Sequence, residues 1–341
     1  MSNNRIFWAI EGVAIAPEHS VAFSTGIVHG LQSIGITTTF NLEQVFEIGQ
    51  LAIYENIENI PDVEVTMEKV LDGYPLIYHL ATQGYSSGTL AGRSNQRCNV
   101  LMNIYGDTQD SASGVPQTEV MMSGMYISSV TYTFPVDGNC SEAVTLVGND
   151  KNWRSDNFLL SSEMFDNEDS PVAVAGVQRR ENVIFNSVTD GTATLLPTVI
   201  EGISASGTND KVEDQFNAHV QTLTISVDFG REQLNELGRR SPYFRYINYP
   251  VEVTTEVEVT SSQGDQIDAN ELGNDGLGNN LIDETIYIIL SDSTTIDLGT
   301  KNKLANVSYG GADAGGGNAT STYSFTTFNE FTVTHSGDPG A

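Results

Sequence analysis

Basic residues are scarce in this 341-residue chain: 15 Lys and Arg stand against 44 Asp and Glu, a formal charge of −29 at pH 7. A surface of that sign repels phosphate backbones, which excludes nucleic acid as a tightly held partner. Cysteine is scarcer still. Cys98 and Cys140 have no metal-like spacing and no histidine beside them, so two reduced thiols are expected rather than a disulfide framework or a zinc site. The five histidines, His19, His29, His79, His219 and His335, are scattered without ligand spacing. Only Trp8 and Trp153 could stack on sugars, which argues against a glycan-binding surface. No run of eighteen apolar residues is present, so no membrane-spanning helix is expected. The opening "MSNNRIFWAIEGVAIAPEHS" carries one Arg and a short apolar stretch broken by Glu11, a poor secretory leader. The expected site of folding is therefore the cytoplasm in which the chain is made.

Catalytic and cofactor motifs fail on context. "GYSSG", Gly84 to Gly88, spells G-x-S-x-G, but a nucleophile elbow needs a strand before it and a helix after it. Here the preceding "YPLIYHLAT" reads as a helical turn and the following "TLAGRSNQRC" as a loop. "DANELGNDGLGNNLID", Asp268 to Asp283, invites a calcium reading, yet an EF-hand loop from Asp268 fails at Leu272 and at Asn279. "GGADAGGGNATS" lacks the lysine and the strand-to-helix setting of a phosphate loop. No catalytic residue, metal site or cofactor is expected, and the chain reads as a non-enzyme.

Strand signals fill the space these motifs leave. "VEVTTEVEV" alternates Val251, Val253, Thr255, Val257 and Val259 with Glu252, Thr254, Glu256 and Glu258, one face apolar and one wet. Similar short runs rich in β-branched and aromatic residues recur between Gly, Asn and Asp turns, which predicts an all-β, mainly antiparallel fold with short helices.

One stretch is spelled twice. "FNLEQVFEIG", Phe40 to Gly49, returns as "FGREQLNELG", Phe229 to Gly238. Without a gap, Gln32 meets Gln221, Ile36 meets Ile225, Phe40 meets Phe229, and Gln44 meets Gln233. Gly49 then meets Gly238, Tyr54 meets Tyr243, and Pro61 meets Pro250. Dropping Asp62 then aligns "VEVTME" with "VEVTTE". A repeat of this kind predicts two tandem β-sandwich domains, at 1–149 and 214–341, with 150–213 as insertion and linker. Within each repeat Asn41 as cap, Gln44 three residues on and the glycine at the end predict one short helix. An alternating strand through Phe40, Leu42, Phe46 and Ile48 is the competing pattern. The copies diverge in charge. Leu42, Gln50, Leu51 and Asn56 in the first face Arg231, Arg239, Arg240 and Arg245 in the second, while Glu55 and Glu58 face Phe244 and Ile247. Reversing Arg239 and Arg240 is expected to block assembly if unlike copies alternate around a ring.

"FNLEQVFEIGQLAIYENIENIPDVEVTMEKVLDGYPL" and "ELGRRSPYFRYINYPVEVTTEVEV" resemble segments of the tail tube proteins of tailed bacteriophages. The resemblance covers the two repeat cores, about forty residues each. It implies β-sandwiches whose inner strands join between subunits into a barrel around a lumen, in stacked rings. A two-domain subunit would form a trimeric ring of pseudo-sixfold symmetry, in the virion tail, with other tail proteins as partners and DNA passing without specific binding. Phe40, Gln44, Gly49, Tyr54 and Pro61, with Phe229, Gln233, Gly238, Arg239, Arg240, Tyr243, Arg245 and Pro250, become assembly candidates. Glu64, Glu68, Glu252, Glu256 and Glu258 become candidates for an acidic lumen wall. Other virion parts on the same fold (baseplate, neck or capsid decoration) and a secreted glycan- or calcium-binding sandwich are the alternatives.

Overall fold

The structure, a computed structural model, describes residues 5–20, 23, 26–106, 116–154, 176–185, 193–203, 218–239, 241–267, 282–314 and 316–339. In the first half the strands are β1 (Glu11–Pro17), β2 (Leu31–Thr39), β3 (Leu42–Phe46), β4 (Ile53–Glu58), β5 (Asp62–Val70) and β6 (Cys98–Ile104). The long β7 (Thr118–Pro135), β8 (Ser141–Gly148) and short β9 (Asn152–Arg154) follow. The second half holds β10 (His219–Asp228), β11 (Arg231–Leu234), β12 (Phe244–Ile247) and β13 (Glu252–Thr260). After these come β14 (Tyr287–Ile289), β15 (Thr295–Asp297), β16 (Lys303–Gly310), β17 (Thr320–Phe328) and β18 (Thr332–Thr334). Two short helices, α1 (Ile77–Ala81) and α2 (Leu90–Arg93), stand between β5 and β6. The fold is all-β and antiparallel throughout the described strand pairs. No described helix is long and apolar enough to cross a membrane.

One sheet runs through both halves in the order β16-β17-β13-β10-β7-β8-β5-β2. β7 belongs to two layers. Its first part pairs with β6 and β9, and its last part with β8 and β10. Gly124, at φ 63, makes the change of direction cheap, because only glycine enters that region without a Cβ clash. Valines and aromatics at alternate positions, such as Val63, Val65, Val253, Val257, Tyr132 and Phe325, turn one face of the sheet inward. β1 and β6 cover it in the first half; Ile286, Ile288, Ile296 and Val333, on and beside β14, β15 and β18, cover it in the second. A single buried cluster joins the halves. Described parts of 150–213 take part: Leu196 and Ile200 are buried in it, and Leu195 bridges Tyr287.

α1 forms at the place "YPLIYHLAT" predicted. Its first N–H groups, on Ile77 and Tyr78, donate to the buried Glu142 carboxylate at 2.7 and 3.1 Å, and the Tyr132 hydroxyl donates to it at 2.9 Å. Burial pushes the Glu142 pKa up, against the pull of Lys69, its cross-strand partner, and of the donated hydrogen bonds. The residues after "GYSSG" are not all loop, as α2 shows. It starts at Leu90 because the Thr89 side chain accepts from the Gly92 N–H. No strand precedes the serine, so the elbow context is still missing. "DANELGNDGLGNNLID" lies almost wholly outside the described residues.

The repeated segments fold alike. β2 pairs with β5, and β10 with β13, and each pair holds a two-stranded arm between its strands: β3–β4 in one, β11–β12 in the other. The expected helix at Asn41–Gly49 and its second copy are therefore corrected to strands. Asn41 does not cap a helix: its side chain donates across the arm base to Ile60 O and Asp62 Oδ2, at 3.1 and 3.0 Å. Gly49 and Gly238 do have positive φ, 96 and 84, but at the arm tips. There the Gln50 N–H donates to Glu47 O, and the matched Arg239 N–H to Glu236 O. Cross-strand packing of β-branched and aromatic side chains outweighs the weak helix signal of "LEQ" and "REQL".

The match is close in register. Both long pairs carry a bulge at the same glutamine, Gln32 or Gln221, whose side-chain amide donates to the carbonyl two residues back at 3.1 Å. Ile34 faces Met67 as Leu223 faces Val257, which matches Val63 with Val253 and Asp62 with Glu252. The alignment of "VEVTME" with "VEVTTE" is thus two residues out. The second copy has one residue more after its proline rather than one fewer. A slip of two keeps every side chain on its own face, so the pattern cannot reveal it. Farther on, "SVTY" (Ser129–Tyr132) on β7 matches "NVSY" (Asn306–Tyr309) on β16, each directly after a bulge, at Ser128 and at Ala305.

Candidate assembly interface

The two halves meet inside the chain along β10 and β7. Ile225 faces Tyr132, Ser226 faces Thr131 and Val227 faces Val130. The hydroxyls of Thr131 and Ser226 are 3.3 Å apart, and the Phe229 N–H donates to Ser128 O at 2.9 Å. The β11–β12 arm then lies back over the first half. Arg231 Nε donates to Ile127 O at 2.7 Å, Arg245 donates to Asp62 Oδ1 at 2.6 Å and to Asn149 Oδ1 at 3.1 Å, and Gln233 donates to Asp62 Oδ1 at 2.9 Å. Phe244 meets Tyr126 edge-on at 5.4 Å between centroids.

Asp62 is the hub of this joint. Burial would raise its pKa, but hydrogen bonds from Asn41, Arg245 and Gln233, with the Arg245 charge, outweigh that and lower it. Burial likewise brings the Arg231 pKa down to about 10, against the pull of nearby tyrosines. Arg245 is thus paired with Asp62, while Arg231 is held by the Ile127 and Arg245 carbonyls and lies over the Tyr126 and Phe229 rings.

The strands matched to this joint, β2 for β10 and β16 for β7, are the two ends of the sheet. Among the described residues neither has a second strand partner. Their side chains show what is missing. Phe229 is 2% exposed and its match Phe40 is 70% exposed; Tyr132 is fully buried and its match Tyr309 is 53% exposed. Along the β3–β4 arm Leu42, Phe46, Ile48, Leu51, Ile53 and Tyr54 are exposed.

All but three of the predicted assembly residues fall into three groups. Phe229, Gln233 and Arg245 lie in the joint within the chain. Phe40, Gln44, Gly49 and Tyr54 belong to the uncovered arm and its base. Gly238, Arg239 and Tyr243 sit at or near the second arm's tip, where exposed Arg239 pairs with Glu236 at 3.3 Å. Arg240 lies outside the described residues. Pro61 and Pro250 close the two arms, and Asn149 donates to Pro61 O at 2.9 Å. Asp62, Tyr126 and Tyr309 were not singled out from sequence, although "SVTY" and "NVSY" carried the signal for the last.

Glu64, Glu68, Glu252, Glu256 and Glu258 share the face of the sheet turned away from the core. Across the strands their neighbours are hydroxylic or small: Glu68 lies beside Ser33 and Ala143, Glu256 beside Thr224 and Ser324, and Glu258 beside Thr222 and Thr322. Among the described residues no cluster of three or more His, Cys, Asp or Glu is placed to hold a metal.

No protein-family model matches the chain, and the search of curated proteins gives no match. Among solved structures, a chain of "Cryo-EM structure of the anti-feeding prophage (AFP) baseplate, 6-fold symmetrised" is similar over 46% of this chain and 98% of its own, at 14% identity and a TM-score of 0.35. A likeness of that size fixes neither fold nor role.

Proposed function

We propose that the chain is a non-enzymatic structural subunit of a phage virion, a tail tube protein that joins copies of itself edge to edge into stacked rings around a DNA-conducting lumen. The observation that carries the proposal is the pair of free edges. β10 and β7 join inside the chain, and among the described residues their matched strands β2 and β16 are the two left without a second partner. Joining β2 of one copy to β16 of the next repeats a contact the molecule already makes. It also removes two unpaired edges that would otherwise be an aggregation hazard. With two matched halves per chain, as an internal duplication would leave them, three copies would close a ring of pseudo-sixfold symmetry by rotation. The resemblance of both repeat cores to tube proteins supplies the phage setting. The glutamate-bearing face suits a wall past which DNA slides, since it offers phosphates nothing to hold.

The in-chain joint sets the register to test: Ile36 opposite Tyr309, and Thr37 opposite Ser308. A Thr37→Cys, Ser308→Cys protein should form an intermolecular disulfide on mild oxidation, because the matched hydroxyls of Thr131 and Ser226 are already in contact. Negative-stain images should show tubes of constant bore. Oxidised protein that stays monomeric would end the proposal. Single rings that never stack would favour a neck or baseplate part over a tube.

A further inference from the structure

The two arms are matched in fold and unlike in chemistry, and the difference defines a second contact between copies. We infer that the β3–β4 arm of one copy docks on the second half of its neighbour, with Gln44 on Glu252 and Glu55 on Lys303. The inference rests on the edge joining proposed above, because that joining brings the arm over the neighbour's β16 and β13.

The template is the arm already docked. Gln233 faces Arg245 and Leu234 faces Phe244 across β11–β12, as Gln44 faces Asn56 and Val45 faces Glu55 across β3–β4. On the receiving side Tyr126 faces Val147 two residues before the β7 bulge, and Lys303 faces Thr326 two residues before the β16 bulge. Asp62 and Glu252 each stand one residue before the matched Val63 and Val253. Carrying the docked contacts across these matches gives the new ones. The Gln233 to Asp62 hydrogen bond becomes Gln44 to Glu252, which accounts for the glutamine being spelled twice. The Phe244–Tyr126 aromatic pair becomes an ion pair between Glu55 and Lys303.

Charge supports this partner over the alternatives. From Phe40 to Ile60 the first arm has Glu43, Glu47, Glu55 and Glu58 and no Lys or Arg. Lys303 is exposed and pairs with the exposed Asp283 at 2.8 Å, a pair that an arriving arm can share or displace. The receiving site in the first half instead offers Asp62, which the arginine-bearing second arm fills. An arm set on the wrong half would therefore lose its charge partner, so the unlike arms enforce the order of halves around the ring.

Charge reversal tests the pair in the full chain. Glu55→Lys alone and Lys303→Glu alone should each raise the protein concentration for half-assembly about tenfold at low salt, since every joint of a closed ring carries the same fault. The double variant should return to within about threefold of the parent. Both side chains are exposed, and unchanged thermal unfolding of each monomer checks that folding is intact. Single variants that assemble like the parent, or a double variant no better than the singles, would overturn the arm contact. The Thr37–Ser308 disulfide reads the edge joining separately: if it forms while reversal has no effect, only the arm inference falls. If it does not form, the edge joining falls and takes the arm contact with it.

Discussion

Phe40 and Phe229 occupy the same place after matched strands, yet Phe229 is buried beneath the neighbouring half and Phe40 lies open to water. Both follow a strand with the same bulge and both precede an arm, although Asn41 comes after the one and Gly230, at φ 51, after the other. What also differs is that β7 lies beside β10, while among the described residues no second strand lies beside β2. The same residue type at matched sites should therefore do different work. Phe229→Ala should destabilise the monomer by about 3–5 kcal/mol, the usual cost of emptying a buried phenylalanine site. Phe40→Ala should leave monomer unfolding within about 0.5 kcal/mol and weaken assembly instead. Denaturant melts of dilute protein, beside sedimentation of concentrated protein, separate the effects. A monomer equally hurt by both changes would refute the asymmetry.

Asp62 gives a second prediction, because it gathers the contacts that hold the docked arm. Asp62→Ala removes the acceptor for Arg245, Gln233 and Asn41 together, although Arg245 keeps Asn149 as a partner at 3.1 Å. With that residual partner, and with Asp62 itself partly exposed, the expected loss is about 1 kcal/mol. It should be local. Amide exchange should speed up over Arg231–Leu234 and Phe244–Ile247 while the core of β13 stays protected. Uniform loss of protection across the sheet would show that Asp62 serves the whole fold rather than the arm.

The all-β fold was legible because alternation along "VEVTTEVEV" and its relatives is a direct record of one buried and one wet face. The repeat was legible from identities such as Gln44 with Gln233 and Gly49 with Gly238. Their conformation was not, since a capping asparagine, a glutamine and a closing glycine suit a helix end and an arm with a tight tip equally well locally. Only cross-strand partners, Val45 with Glu55 or Gln233 with Arg245, decide between them. The role of Asp62 was hidden for a similar reason. Two of its donors, Gln233 and Arg245, come from the other half of the chain, and an alignment that dropped it to save a valine pattern removed the residue the joint is built on.

Acid should weaken the monomer in a window set by buried histidine. His79 is fully buried on α1, its Nε2–H donates to Val333 O at 3.1 Å, and burial, with Arg93 nearby, lowers its pKa to about 4 against the pull of Asp338. Burial also lowers the pKa of His335, despite Asp292 beside it. An unfolded histidine titrates near 6.5, so between pH 6.5 and 4 the unfolded chain binds more protons than the folded one. Stability is then complete above about pH 6.5 and falls as pH drops toward 4, by a few kcal/mol in all. Carboxylates with lowered pKa, such as Asp62, add their loss only below that window. A melting temperature flat from pH 7 to 5 would contradict the buried neutral state. A His79→Gln protein should show a shallower acid slope than the parent.

The glutamate face yields the last prediction, and it joins charge to passage of DNA. Glu68 and Glu258 are matched residues on the two halves, and both lie away from the core among serines and threonines. Replacing both by Lys should cost little folding stability, because neither is buried and neither donates or accepts in the joint. Six added lysines in a trimeric ring, where six glutamates stood, would reverse the sign of the wall at two positions per chain. Parent tubes should then ignore duplex DNA at low salt, while reversed tubes retain it, with retention falling steeply as salt rises, the mark of counterion release. If the face lines the lumen, the retained DNA should be protected from nuclease along its length. DNA bound by reversed tubes but fully open to nuclease would put the glutamates on the outer wall. No retention at all in reversed tubes would detach the acidity of this face from DNA altogether.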